Sequence, residues 1–485
     1  MSASSISQGP GPIVHNGDYA STRWLLLAVV SAAQFLAAFD LWVVTIALPT
    51  LQREFAPADL AEVAWILNVY TIILATFLAP AGRIADSIGR KRSFVVGLSV
   101  FGLASAGCAV APSLPAMIVW RSVQALSAAV VLPTSLGLAL PAFPPHQRGT
   151  AVGVWAAVGA IAAGGGPILG GLLIQISWRW IFLINVPIVL VAVVAGSVLL
   201  PRDEPRRGAV RFDGVGLVLV LWAMWLVCAG LIQAPVWPAS LIWLMLGGGV
   251  CLGIVFIVHA GHHPDPLVPP RLFRTRRFSI SAVGLFVYYA GFSVMLLGIT
   301  LLLTEGMHQS VLDAAFGLVP GPITAGVASP FSGRIGARLG VRRTLVVGAG
   351  LFALGAMWPL VVATGDPPEY VSGILPSLLL WGVGNALIQP TLFAGVDAAP
   401  RGDLALAAAV LASARQLGSA LGVAVLVGVL GANGPSAFQY AWAIVLASAL
   451  LTGLAGLFAG RQRETASEPD KQPELRHQPV PEPSS

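Results

Sequence analysis

Hydrophobic and polar positions alternate along this chain in long blocks, without the short periods of soluble helices or strands. A helix needs about 20 mainly apolar residues to cross a bilayer. Fourteen such apolar runs follow one another, each ended by a short polar connector. The pattern therefore predicts an all-α membrane protein with fourteen transmembrane helices. The predicted spans are residues 24–49, 63–82, 94–112, 115–139, 150–174, 180–200, 213–233, 240–260, 279–303, 314–333, 343–363, 371–395, 404–430 and 438–460.

One basic connector occurs twice. Gly82–Arg92 reads GRIADSIGRKR and Gly333–Arg343 reads GRIGARLGVRR, each between two apolar runs. Extended by five residues, the two copies share eight of sixteen aligned positions at a constant offset of 251 residues. Internal repeats on this scale are typical of secondary transporters. Because eight apolar runs separate the copies where six would suffice, the runs 213–233 and 240–260 are interpreted as an insertion between two six-helix halves.

Composition and charge give the orientation. The chain is 56% hydrophobic and 10% charged, against roughly 25% charged residues in soluble domains. Of its 27 Lys and Arg residues, 23 fall on one side of the predicted spans, and only Arg53 and Arg179 lie in loops on the other side. Short basic loops face the cytoplasm. We therefore expect a multi-pass protein of the cell (plasma or inner) membrane with both termini cytoplasmic. The net charge of +6 is explained by this bias and indicates no nucleic-acid partner.

The spans and their connectors divide the chain into five segments. They are a cytoplasmic N-terminal tail (1–23), an N-terminal six-helix half (24–200), two inserted spans with basic linkers (201–278), a C-terminal six-helix half (279–460) and a disordered cytoplasmic tail (461–485). The last segment is rich in Pro, Glu, Ser and Gln, as disordered regions are. The first twenty-odd residues show no signal-peptide pattern. The three cysteines lie inside apolar runs and predict no disulfide framework.

Two ionisable residues lie inside the first half at similar depth. Asp40 is about 13 Å below the outer end of its span, and Arg121 is roughly 9 Å below the outer end of its own. Charged residues within spans are functional candidates because burying them costs free energy. We expect the two to pair or to share a water-filled cavity. Asp40 then couples transport to protons, or forms a structural ion pair that sets helix register, or contacts a cationic substrate directly.

The duplicated connector carries a family resemblance. Gly82, Asp86, Gly89, Arg90 and Lys91 resemble the signature loop between the second and third helices of the major facilitator superfamily; a plain basic turn is the alternative. The pieces FDLWVVTIALP, WRWIFLINVP, PLVPPRLFRTRRF and ARQLGSALG resemble the fourteen-span drug:proton antiporter branch. This resemblance covers all but the first 20 and the last 25 residues or so. It implies the major facilitator fold, with two six-helix halves plus two inserted helices.

The resemblance also implies roles for particular residues. The signature loop, with Gly333, Gly340 and Arg342 of its second copy, would form a conformational latch, in which Asp86 could cap the helix that starts near Leu404. Arg121 and Gln124 match the fourth-helix motif, which is linked to proton transfer, although Ala125 stands where Gly is usual. The fifth span resembles the helix that marks antiporters; ordinary small-residue packing is the alternative. Its motif residues are Gly159, Gly166, Pro167, Gly170 and Gly171.

Further polar and aromatic residues are candidates for the substrate cavity. They are Gln34, Trp42, Asn385, Gln389 and Arg415. Arg415 lacks an obvious acidic partner, so a structural role, bonded to backbone carbonyls and Asn385 or Gln389, and an anion or substrate contact both stay open. The connector that holds His259, His262, His263 and Asp265 matches no zinc spacing. We expect no metal and no cofactor.

These observations favour a secondary active transporter. It would export hydrophobic or amphiphilic compounds, often cationic drugs, in exchange for protons by alternating access. The alternatives are a narrow-range exporter of an endogenous metabolite or antibiotic, and a proton-coupled importer. A membrane enzyme would need a catalytic constellation, and the sequence shows none. The expected partners are a small-molecule substrate, protons and membrane lipid, with no nucleic acid, and the protein is expected to be a monomer.

Overall fold

The computed structural model describes residues 16–144, 147–201, 213–362, 369–400, 403–433 and 437–458. Within these ranges the chain is helical and contains no strand. Most of the two predicted tails lies outside the described residues. The α-helices are α1 (Asn16–Glu54), α2 (Leu60–Val63), α3 (Trp65–Ile88), α4 (Arg90–Ala109), α5 (Leu114–Ala139), α6 (Arg148–Ile176), α7 (Trp180–Leu183), α8 (Asn185–Leu199), α9 (Gly214–Ile232), α10 (Ala239–His262), α11 (Arg276–Leu301), α12 (Val311–Leu318), α13 (Pro320–Val362), α14 (Leu375–Phe393), α15 (Leu404–Asn433) and α16 (Ala437–Phe458).

The helices account for the fourteen predicted spans. Thirteen stretches of the described chain are long and apolar enough to cross a membrane. One of them, Val311–Val361, holds two spans, because α13 turns sharply at Gly340, where φ is 75°. Fourteen spans are the result, as the hydrophobic pattern predicts. Several helices extend past the apolar runs, since the helical hydrogen-bond ladder continues into polar residues at the membrane surface.

The sequence repeat is also a repeat of backbone conformation. Gly89 between α3 and α4 has φ 109°, and Gly340 has φ 75°. They are the only glycines with positive φ among the described residues, and they stand at the same place in the two copies. A side chain is strained in this region of backbone space, and glycine is not. The tight turn of the basic connector therefore depends on glycine in both halves.

The inserted pair lies at the edge of the bundle. Helix α10 packs along α9, and α9 also contacts α3 of the first half and α15 of the second. The rings of Trp65 on α3 and Trp225 on α9 are 5.7 Å apart, and Gly428 on α15 lies against the backbone of Leu231. The insertion thus covers a seam between the two halves.

The two halves meet at the end of the molecule opposite the basic connectors. We call the end that carries Gly82–Arg92 and Gly333–Arg343 the basic end. At the opposite end, Arg53 pairs with Glu305 across the halves at 3.1 Å. Nearer the middle, the rings of Trp42 and Phe292 are 6.0 Å apart. On the basic-end part of α13, a Cβ atom added to Gly333, Gly336 or Gly340 would meet no atom within 4 Å.

Candidate functional site

A buried polar cluster links α1, α4 and α5 in the first half. The Nη1 atom of Arg121 donates to Asp40 Oδ2 at 2.5 Å and to Gln124 Oε1 at 2.6 Å. The Nε2 atom of Gln124 donates to Asp40 Oδ1 and to Ser105 Oγ, both at 2.9 Å. Three predicted residues, Asp40, Arg121 and Gln124, thus form one hydrogen-bonded unit with Ser105.

The cluster is sealed from solvent. The side chains of Asp40 and Arg121 are 0% exposed. Arg121 also donates from Nε to the Ile66 carbonyl at 3.1 Å and lies over the Tyr70 ring at 4.3 Å. Two charges tolerate such burial only when they pair closely and their remaining hydrogen-bonding groups are occupied. Water can therefore reach Asp40 only after the surrounding helices have moved.

Sequence reasoning missed several members of this cluster. Ser105 on α4 bridges Gln124 to Asn185, whose Nδ2 atom donates to Ser105 Oγ at 3.4 Å. Tyr70, which stacks on Arg121, belongs to the second span. A polar residue inside an apolar run was the only signal for these positions, and many such residues simply bond to their own helix, as Thr71 and Thr76 do.

The described hydrogen bonds of the signature loop lie inside the first half, while Arg83 also acts electrostatically on Asp403 of the second half. Asp86 accepts a hydrogen bond from Arg90 Nε at 2.5 Å, and Arg90 Nη1 donates to the Gly137 carbonyl at 2.9 Å. Lys91 Nζ donates to the Leu200 carbonyl at 2.6 Å. Gly82 lies against Pro133 on α5. These contacts hold α3 and α4 to the ends of α5 and α8, and the capping of α15 by Asp86 stays a prediction.

The second copy of the loop has no ion pair among the described residues, Arg342 included. Ala337 stands where the first copy has Asp86. Gly333 and Gly340 have open space around them, and Gly340 makes the turn. The ionisable side chains of the connector are therefore organised in the first half.

The small residues of α6 form a close seam with α1. Gly159 lies against the side chain of Gln34. A Cβ atom on Gly166 would come within 3.0 Å of the Trp42 Cβ, and one on Gly170 within 3.1 Å of Ile46 Cγ2. Pro167 lies inside the same helix. Gly171 faces the other half, where an added Cβ would be 3.1 Å from the Cβ of Ala315 on α12. The stripe thus joins α1 within one half and reaches across to the other.

Of the expected cavity residues, Trp42 lies at the boundary of the halves, and Asn385 and Arg415 have partners that the sequence did not predict. Asn385 Oδ1 accepts a hydrogen bond from the Tyr288 hydroxyl at 2.6 Å. The Arg415 guanidinium lies 5.5 Å from the ring centre of Tyr289 and 5.9 Å from that of Phe393. Among the described residues, Arg415 forms no hydrogen bond with Asn385 or Gln389, and its side chain is engaged by Tyr289. Gln389 is half-buried on α14.

A second polar cluster holds the inserted pair. The Asp213 carboxylate accepts hydrogen bonds from the Gly216 amide at 2.8 Å, from the Leu267 amide at 2.9 Å and from His259 Nε2 at 2.7 Å. Burial raises the pKa of Asp213, but these hydrogen bonds outweigh it and hold the pKa below its ordinary value. The carboxylate caps α9 and ties it to α10 and to the following linker.

This second cluster differs from the histidine-rich group that the sequence suggested. Donor atoms of Asp213, His259 and His263 lie within 4.8 Å of one another, so the three could share a metal ion. The sequence grouped His262 and Asp265 with these histidines, whereas the structure brings in Asp213 from a connector that is distant in sequence. The hydrogen bonds already explain why Asp213 and His259 meet here.

Comparison with known proteins agrees with this architecture. The family model described as Major Facilitator Superfamily matches residues 30–260 and 281–483. The puromycin resistance protein of Streptomyces alboniger is 35% identical, over 87% of this chain and 83% of its own. The tetracenomycin C resistance and export protein of Streptomyces glaucescens is 32% identical, over 87% and 78%.

Among solved structures, a D-xylose-proton symporter has a TM-score of 0.66 at 14% identity, over 89% of this chain and 97% of that one. At that identity the likeness shows the fold alone. The duplicated basic turn, the buried Asp40–Arg121 pair and the family match together lead to one assignment. The chain belongs to the Major Facilitator Superfamily, and its fourteen spans and resistance-protein relatives place it in the drug:proton antiporter branch.

Proposed function

We propose that the protein exports hydrophobic or amphiphilic compounds in exchange for protons, with Asp40 as the proton carrier. The observation that carries the proposal is the Asp40–Arg121 pair, fully buried in the first half at 2.5 Å. A carboxylate at such a place changes its protonation state only together with a conformational change. The relatives, which are named for puromycin resistance and for tetracenomycin C resistance and export, support the direction of transport.

The coupling step follows from the hydrogen bonds of the pair. When the halves rearrange and water reaches Asp40, a proton neutralises the carboxylate and removes its attraction for the Arg121 guanidinium. Arg121 keeps the Ile66 carbonyl and Gln124 Oε1 as acceptors. Loss of the proton on the other side restores the ion pair. In each cycle Asp40 thus binds one proton on one side and releases it on the other, which favours the return of the transporter without substrate.

The remaining parts of the molecule fit alternating access. The protein lies in the cell membrane, and its basic end faces the cytoplasm according to the positive-inside rule. Both termini are on the cytoplasmic side. The Asp86–Arg90 loop acts as the latch at that end. The α1–α6 seam, with Gln34 and Trp42 packed on glycines, keeps the first half rigid and limits proton leak. The protein works as a monomer in lipid, without nucleic acid, and leaves its substrate chemically unchanged.

A second candidate is export of a narrow range of compounds, such as one endogenous metabolite or antibiotic. The relative from Streptomyces glaucescens is named for a single compound, tetracenomycin C. Both candidates use the same proton site, and only the shape and charge of the cavity distinguish them. A panel of compounds therefore separates them, since a narrow-range exporter responds to one chemical group and a multidrug exporter to many.

The test uses inverted membrane vesicles with an acid interior and a pH-sensitive dye. Lipophilic cations, neutral drugs and aromatic anions are added to the wild type and to Asp40→Asn. We expect some compound to release the pH gradient in the wild type, and the response to fall to background in Asp40→Asn. Asp397→Asn, which changes an exposed acid on the basic side, is the control and should respond like the wild type. A full response from Asp40→Asn would contradict the coupling role.

A further inference from the structure

The charges in the middle of the described spans are distributed unequally. Three side chains carry a formal charge there: Asp40, Arg121 and Arg415. Asp40 and Arg121 neutralise each other and are 0% exposed. Arg415 is half-buried and has no ion pair among the described residues. The accessible charge at this depth is therefore positive.

Arg415 lies in the middle of its helix. It is eleven residues from the start of α15 at Leu404, which corresponds to about 16 Å along the helix axis. Its Nε atom is buried and has no hydrogen-bond partner among the residues that the structure describes. A guanidinium group carries five N–H donors that suit carboxylate oxygens. The Tyr289 side chain engages this guanidinium by a hydrogen bond, and the Nε donor stays unused among the described residues.

The surroundings of Arg415 are aromatic and lead to the boundary of the halves. Its guanidinium is 5.5 Å from the ring centre of Tyr289. The ring centres of Tyr289 and Phe292 are 5.2 Å apart, and Phe292 meets Trp42 of the first half at 6.0 Å. Two residues before Arg415, Ser413 donates to the Ala75 carbonyl of the first half at 2.6 Å. Arg415 and these rings thus follow the interface along which the halves separate.

We propose that Arg415, with Tyr289, Phe292 and Phe393, forms a substrate subsite for planar aromatic compounds that carry a carboxylate or phenolate. The half-buried Phe393 ring offers a face for stacking, and the rings of Tyr289 and Phe292 are buried at this boundary until the halves separate. The guanidinium offers charge-assisted hydrogen bonds at low dielectric. A lipophilic cation meets the same positive charge and is disfavoured, because Asp40, the one acid at this depth in the described spans, is paired with Arg121. This inference rests on the proposed export function and narrows its substrate class.

The test compares two dyes that share a xanthene ring and differ in charge. Fluorescein is an anion at neutral pH, and rhodamine 123 is a cation. Binding to the purified full chain in lipid nanodiscs is followed by fluorescence polarisation. We expect the wild type to bind fluorescein at least about tenfold more tightly than rhodamine 123, a difference of about 1.4 kcal/mol. Equal or tighter binding of the cation, or no binding of the anion up to its solubility limit, overturns the proposal.

Variants locate the preference on the side chain. Arg415→Gln should bring the ratio of the two affinities close to one, and Arg415→Lys should keep the preference for the anion in reduced form. Arg179→Gln removes an exposed arginine whose ion pair, with Glu54, lies within the first half, and should leave the ratio unchanged. An unchanged ratio in Arg415→Gln contradicts the proposal. If Arg415→Gln does not fold, the affinity ratio of Arg415→Lys decides. A preference for fluorescein as strong as that of the wild type would then contradict the proposal.

The two proposals fail separately. The dye preference is an equilibrium property and needs no proton gradient. If the wild type prefers fluorescein but no compound releases the vesicle pH gradient, proton-coupled export is wrong and the subsite stands. If cations release the gradient through Asp40 and fluorescein does not bind, export stands and the anionic substrate class is wrong.

Discussion

At the scale of single residues, the Asp40 cluster shows how a membrane protein retains a charge in its interior. Hydrogen bonds join Asp40, Arg121, Gln124 and Ser105, and both charges are buried against each other, so no full charge faces lipid. Arg121 Nη2 has no partner among the described residues. A buried ion pair adds little to the stability of the fold when compared with apolar residues of similar volume in its place. Removing one partner, however, leaves the other charge buried and uncompensated. The stability of the first half therefore depends on the match between the two charges.

This dependence predicts a non-additive pair of substitutions. Arg121→Gln should destabilise the protein by about 3–5 kcal/mol, because it leaves the Asp40 carboxylate without a counter-charge. The double variant Asp40→Asn with Arg121→Gln should lose clearly less, since it leaves no isolated charge. Thermal unfolding of the purified protein in detergent measures both. Arg53→Gln, at an exposed ion pair, is the control and should change stability by no more than about 1 kcal/mol. A double variant that is less stable than Arg121→Gln contradicts this account.

At the scale of helices and turns, the duplicated connector depends on glycine backbone conformation. Gly340→Ala should destabilise the protein by about 1–2 kcal/mol, because a Cβ atom is strained at positive φ. Open space surrounds Gly340, so the cost comes from the backbone and not from a steric clash. Gly336→Ala is a matched control, as it lies four residues earlier, equally unpacked, without positive φ. Equal thermal stability of the two variants would show that the turn does not need glycine.

The inserted helix pair depends on a different device, the Asp213 cap. Asp213→Ala removes an acceptor for two backbone amides and His259 and should cost about 1–3 kcal/mol at neutral pH. Because the folded pKa of Asp213 lies below its ordinary value, the carboxylate stabilises the fold above about pH 4, and this stabilisation is lost as the pH falls through the folded pKa. The difference between wild type and Asp213→Ala should therefore be larger at about pH 7 than at about pH 3.

Thermal unfolding at the two pH values checks the Asp213 prediction. Asp265→Ala changes an exposed acid in the same linker and serves as the control. Its effect should be small at both values. A difference for Asp213→Ala that grows on acidification would mean that the neutral carboxyl, and not the carboxylate, makes the stabilising contacts.

At the scale of the whole molecule, the two halves are in contact at the end opposite the basic connectors. Gly171 on α6 and Ala315 on α12 belong to different halves and lie within disulfide reach at that end. Alternating access requires this contact to open during each cycle. A covalent link there should hold the protein in the conformation described here.

The corresponding experiment starts from a variant without the native cysteines, Cys108, Cys228 and Cys251. Gly171→Cys with Ala315→Cys should lose vesicle transport on oxidation and regain it on reduction. Gly453→Cys with Ala349→Cys joins two helices of one half, where an added Cβ at 453 is 3.3 Å from the Ala349 Cβ, and should retain transport when oxidised. Transport that continues through a fully cross-linked Gly171–Ala315 pair would exclude opening at this end.

The sequence by itself determined the number of spans, the repeat and the depth of the ionisable residues. The bilayer imposes a length and an apolar composition on every span, so these properties are local and can be read along the chain. Asp40 and Arg121 were placed at similar depth by counting residues, since a helix rises by a constant amount per residue. The glycine pair Gly89 and Gly340 follows from the repeat in the same way.

Only the tertiary structure decided which side chains meet. The rotation of each helix about its axis, and the order in which helices surround one another, depend on packing between segments far apart in sequence. Hence Ser105 joins the Asp40 cluster, Asp213 joins His259, and Arg415 contacts Tyr289 and not Asn385. These spans carry apolar residues on nearly every face, so hydrophobic periodicity does not show which face of a helix turns inward. The depth of a residue in the membrane does not by itself identify its partners.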